Sequence, residues 1–101
     1  MIITKKPEVN DIVVLKLCTS EEVVGKLVIA TPTTLTLSKV LTAHTIQTDG
    51  GIGTVFGPFI PSAKHDAQMT FNRTTLVTDM LTPDEDCAKQ YLKLTTGLEI
   101  V

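Results

Sequence analysis

A glycine in the middle of an otherwise aliphatic strand pattern constrains this chain more than any other feature. Residues 11–37 read DIVVLKLCTSEEVVGKLVIATPTTLTL, three apolar-alternating runs split by two short polar breaks, with Gly25 inside the second run. A strand glycine packs nothing and loses the most backbone freedom on folding. It is kept where the strand bends sharply or another backbone comes close. Both happen when a short sheet curls on itself, so Gly25 predicts a small, strongly bent antiparallel barrel.

The surrounding pattern supplies the strands. The first spans Ile12 to Cys18, with Val13, Leu15 and Leu17 on one face, and Thr19-Ser20-Glu21-Glu22 turns the chain. The second runs from Val23 to Ala30, with Val23, Leu27 and Ile29 sharing a face with Gly25. Thr31-Pro32-Thr33 breaks it, because Pro32 has no ladder donor. The third, from Thr34 to about Gln47, opens on the alternation Leu35, Leu37, Lys39, Leu41. Asp49-Gly50-Gly51 is a hairpin turn whose glycines supply positive φ. Ile52 to Ile60 returns as a strand, and Pro58 places it at an edge or a bulge. Gln68 to Asn72 and Leu76 to Leu81 read as two short strands joined at Arg73-Thr74-Thr75.

A helix follows over about residues 83–95. Thr82-Pro83-Asp84-Glu85 fits a capping box, with Pro83 at the first helical position, and Thr82→Ala is expected to cost about 1 kcal/mol. Cys87, Tyr91 and Leu94, with Ala88 and Leu92 beside them, form the apolar stripe that should lie on the barrel, and Gly97 is the expected stop.

Composition agrees. The 101 residues make one domain, with the barrel over about 11–81. Seventeen threonines, many alternating with Leu or Val, favour strands. Two cysteines without CxxC spacing, Cys18 and Cys87, read as reduced thiols of a cytoplasmic protein. Lysines early in MIITKKPEVND and the lack of a long apolar run predict neither secretion nor membrane insertion. Nine basic against eleven acidic side chains, net −2, is a poor balance for gripping duplex DNA, so nucleic acid would have to be bound at a local site.

The V-x-L-x-L first strand, the polar turn, Gly25-Lys26-Leu27, the break and Leu-x-Leu at Leu35 and Leu37 together resemble the first motif of Sm-like proteins. Asn72-Arg73-Thr74-Thr75-Leu76-Val77 resembles a degraded second motif. The opening KL-x-x-x-EE-V, the central F-x-P-F-x-P (Phe56, Pro58, Phe59, Pro61) and a closing helix ending in T-x-G (Thr95 to Gly97) are similar to small Sm-like proteins of T4-like phages of marine cyanobacteria. The resemblance covers roughly residues 11–97. It implies a five-stranded Sm/SH3-like open barrel whose edges pair between neighbours, forming a cyclic homo-oligomer that binds single-stranded RNA. The family's base pocket uses an Asp and an Asn near the turn between its second and third strands, plus the Arg of the second motif. Here the Asp position falls on Thr31 and the Asn position on Thr34 or Leu35, while Arg73 is retained. A C-terminal helix replaces the family's N-terminal one.

Each candidate also has a plainer reading. Arg73 presents a planar fork that stacks on a base or pairs with a phosphate; the plain alternative is a surface salt bridge with Asp79 or Asp66. Lys64 and His65, in the loop Lys64-His65-Asp66, line a binding site or form a solvated loop tip. His44 has no ligand partner at metal spacing, and neither a metal nor a cofactor is expected. The cysteines read as small core residues rather than nucleophiles, so no enzyme is expected. Glu21-Glu22 reads as solubility. The Phe56 to Pro61 cluster covers the barrel end or an interface, with a platform for bases as the alternative. The expected function is single-stranded nucleic-acid binding, RNA before DNA, through Arg73 with Thr31, Thr34, Lys64 and His65. The alternative is a structural or protein-interaction ring without nucleic-acid affinity.

Overall fold

The computed structural model describes residues 7–60, 62, 64 and 67–100, with the backbone alone for 96–100. Five strands, β1 (Ile12–Lys16), β2 (Glu22–Ala30), β3 (Thr34–Thr48), β4 (Gly51–Pro58) and β5 (Met69–Asn72), form one antiparallel sheet. The order is β1-β2-β3-β4, and β5 pairs with the first half of β3 (Thr34↔Asn72 to Leu37↔Met69). A 3-10 turn, Arg73–Thr75, and the helix α1 (Glu85–Ile100) follow. Among the described residues no ladder closes the sheet. The segment expected as a strand from Leu76 to Leu81 instead makes two isolated bridges to the β1 side, Val14↔Leu81 and Leu17↔Leu76. Between the bridges Met80 N donates to Asp79 Oδ1 and the Asp79 carbonyl accepts the Thr78 hydroxyl, so these backbone groups bond within their own segment.

Gly25 lies where another strand comes close. A Cβ there would meet Leu37 Cβ and Cδ1 at 3.0 Å and the Ser38 carbonyl at 3.3 Å. Opposite it, the β2–β3 register slips between Val24↔Leu41 and Lys26↔Ser38, leaving an extra residue in β3 at Lys39–Val40, where Lys39 takes φ 51°. A second slip, between Leu27↔Leu37 and Ile29↔Thr36, puts the compensating extra residue in β2 at Val28. Bulges bend strands and increase twist, so the paired slips curve the sheet at the glycine.

The first bulge also corrects the expected alternation. Leu35 and Leu37 are buried, but beyond Lys39 the inward positions are Val40 and Thr42 rather than 39 and 41. The core comprises Val13, Leu15, Leu17, Val23, Leu27, Leu35, Leu37, Val40 and Phe71, with Phe59 packed against it. Ile29, assigned to this face by the sequence, is 54% exposed, because the bulge at Val28 shifts the pleat before it.

The helix starts later and ends later than its sequence signals suggest. Asp84, not Thr82, caps it: Cys87 N donates to Asp84 Oδ1 at 2.7 Å, and Ala88 N donates to the Asp84 carbonyl. The α1 backbone continues past Gly97 to Ile100. Its docked stripe is Cys87, Tyr91 and Thr95, spaced by four, whereas Leu92 and Leu94 are exposed. Tyr91 is buried, and its hydroxyl donates to the Lys39 carbonyl at 2.6 Å. The helix is thereby anchored on the β3 bulge, and burial pushes the Tyr91 phenol up to about 12.

Candidate nucleic-acid interface

The turn between β2 and β3 is built by Thr31. Its hydroxyl accepts from Thr34 N at 2.8 Å and from Thr33 N at 3.3 Å, and lies 2.7 Å from the Thr34 hydroxyl. Thr31 N donates to the Thr34 carbonyl at 2.9 Å. Such side-chain-to-backbone bonds are why threonine suits a turn around Pro32. They also commit both hydroxyls to the turn itself.

Arg73 reaches this turn from 42 residues away. Because β5 pairs with the start of β3, the residue after Asn72 falls beside the turn, and Arg73 N donates to the Thr33 carbonyl at 2.9 Å. Its side chain is then held at two points. Nε donates to the Thr31 carbonyl at 2.8 Å, and an Nη atom donates to Asp79 Oδ1 at 3.0 Å. Asp79 Oδ1 accepts Met80 N as well, at 2.7 Å, so the carboxylate is fixed by its own backbone. Two of the guanidinium's five N–H donors are used, and three remain without a partner among the described residues. The side chain of Arg73 is 29% exposed and that of Asp79 67% exposed. The salt bridge weighed as the plain reading of Arg73 is present, with Asp79 as its partner.

The structure thus brings together Arg73, Thr31 and Thr34. Thr31 contributes a carbonyl to Arg73 rather than a free hydroxyl. Lys64 is exposed and makes no hydrogen bond or ion pair with these three among the described residues. His65, like Asp66, lies outside the described residues.

Phe59 packs on Phe71 with ring centroids 5.8 Å apart, and Phe56 is half-buried, which favours a covering role for these rings; Pro61 lies outside the described residues. A cleft of about 420 Å³ opens beside Phe59 and Phe71, which line it together with Leu17, Met69, Asn72 and Thr75. Sequence reading missed this cleft, since its walls come from the turn after β1, from β5 and from the segment after β4, and share no local pattern. Cys18 is exposed, contrary to its expected place in the core, because the chain turns immediately after the Leu17 bridge. Cys87 is half-buried; burial first, then the Asp84 and Glu22 carboxylates, push its thiol up and keep it protonated. No group of three or more His, Cys, Asp or Glu side chains suited to a metal occurs among the described residues. No described helix is long and apolar enough to cross a membrane. Neither protein-family models nor curated protein sequences match this chain.

Proposed function

We propose that this chain is an Sm-like open barrel that assembles head to tail into a cyclic homo-oligomer and binds single-stranded nucleic acid, RNA in preference to DNA. The observation that carries this reading is the convergence of Arg73 on the turn between β2 and β3. A guanidinium held in plane by Thr31 and Asp79, with donors left over, is suited to stacking on or hydrogen-bonding an unpaired base. Repeated around a ring, it would give a local basic site on protomers of net charge −2.

The borders of the sheet support assembly. β4 is an edge strand with no ionisable side chain, and it leaves Ile52 79% and Val55 45% exposed. At the opposite border, Val77 and Leu81 of the bridged segment are 61% and 49% exposed. Natural edges meant to stay single carry charges or prolines along their length, whereas β4 has a proline only at its end, Pro58, and the opposite segment one charge, Asp79. Two different borders that pair with each other form a heterologous contact, which makes a ring when the rotation between neighbours closes and an open filament when it does not. The Asp79 ion pair favours a second reading, a structural ring without nucleic-acid affinity, because it offsets the Arg73 charge.

Fluorescence anisotropy with labelled oligouridine and oligoadenosine at low salt separates the two. Arg73→Ala should weaken binding about tenfold, the scale of one lost charge-assisted hydrogen bond. Equal weak binding by wild type and variant would leave the structural ring as the function.

A further inference from the structure

Resting on the reading of Arg73 as a nucleic-acid contact, we infer that Asp79 is its specificity-determining partner, steering the site from bare phosphate toward the edge of an unpaired base. The geometry has three parts. First, Asp79 Oδ1 accepts Met80 N at 2.7 Å, a hold on the carboxylate that does not involve Arg73. Second, the same oxygen takes an Arg73 Nη donor at 3.0 Å while the Thr31 carbonyl takes Nε, so the guanidinium plane is set before any ligand arrives. Third, Oδ2 has no partner among the described residues on a side chain that is 67% exposed, beside three spare guanidinium donors.

The result is an acceptor and donors side by side with almost no net charge. A phosphate brings only acceptors and negative charge. It would gain from Arg73 but be repelled by Asp79 a few ångströms away. The edge of an unpaired base brings an N–H donor next to an acceptor, which matches Asp79 and Arg73 together. Each group that fits one half of the pair only would leave the other half desolvated, and that is the usual source of discrimination at polar sites.

Asp79→Asn tests this, because the amide oxygen can still accept from Met80 N and Arg73 while the charge is lost. Anisotropy titrations would use a single-stranded oligouridine, a single-stranded oligoadenosine and an abasic ribose-phosphate oligomer of equal length. Wild type should prefer the base-bearing strands. The variant should bind the abasic strand roughly three- to tenfold more tightly, in line with removing one nearby like charge from a phosphate. Its log–log salt slope should steepen by about 0.7, one further single-strand phosphate contact. Asp79→Ala should move both readouts the same way, and an unchanged melting temperature in either variant excludes a folding defect. An unchanged preference and slope in Asp79→Asn, with binding still lost in Arg73→Ala, overturns the role of Asp79 and leaves the RNA reading standing. Binding that does not depend on Arg73 at all overturns both.

Discussion

Along β3, the stretch 34–43 pairs with β2 on one side and, at 34–37 and 41–43, with β5 or the end of β4 on the other, whereas residues 44–48 pair with β4 alone and are exposed throughout. The first half buries Leu35, Leu37, Val40 and Thr42. The second half forms a two-stranded ribbon with Ile46, Ile52 and Val55 in solvent and only His44 and Asp49 ionisable between residues 44 and 58. A ribbon of two strands is marginal in water by itself. One continuous strand therefore serves two purposes. Its first half holds the domain together, and its second half leaves apolar side chains exposed.

The largest test of that division is a pair of truncations. Leu15→Ala, in the fully buried core, should cost about 2–5 kcal/mol in urea unfolding. Ile52→Ala should change the stability of the isolated protomer by no more than about 0.5 kcal/mol. Comparable losses at both sites would mean that the ribbon is part of the core after all.

Gly25 sharpens the comparison at the bend. Gly25→Ala places a Cβ 3.0 Å from Leu37 Cβ, an atom that cannot move without its backbone, and the expected loss is about 1–3 kcal/mol. A variant as stable as wild type would show that the two strands can part without harm.

The helix anchor gives smaller effects. Tyr91→Phe removes the bond to the Lys39 carbonyl and should cost about 1 kcal/mol. The phenol is pushed up to about 12 from its ordinary value of 10.0, so the unfolded chain releases this proton first as pH rises. Its contribution is complete below about pH 10 and lost as pH rises toward 12, and Tyr91→Phe should remove that component of the alkaline melting curve. Asp84→Ala should cost about 1 kcal/mol by removing the cap, with Thr82→Ala smaller. The reverse ranking would move the helix start back to Thr82.

Much of the body was legible from local rules. Val13, Leu15 and Leu17 alternate inward as read, Asp49-Gly50-Gly51 turns the chain with Gly51 at φ 126°, and Pro58 ends an edge strand. What escaped had no local sign. Lys39 is an ordinary residue in a left-handed conformation, so the bulge that reverses the alternation could not be read from residue type. Two acceptable caps, Thr82 and Asp84, lie two residues apart, and the capping-box pattern favoured the wrong one. Thr95 rather than Leu94 completes the docked stripe, its hydroxyl satisfied by the Tyr91 carbonyl. At the candidate site, motif resemblance brought Arg73, Thr31 and Thr34 into one list. The inward commitment of the threonine hydroxyls and the fixing of Arg73 by Asp79 needed the fold.

Light scattering after size exclusion, with and without oligouridine, meets the proposed ring and its ligand in one measurement. A ring that binds RNA should elute at a mass several times the 10.9 kDa of the chain and gain mass when the strand is added. A single species at 10.9 kDa that oligouridine leaves unchanged would contradict it.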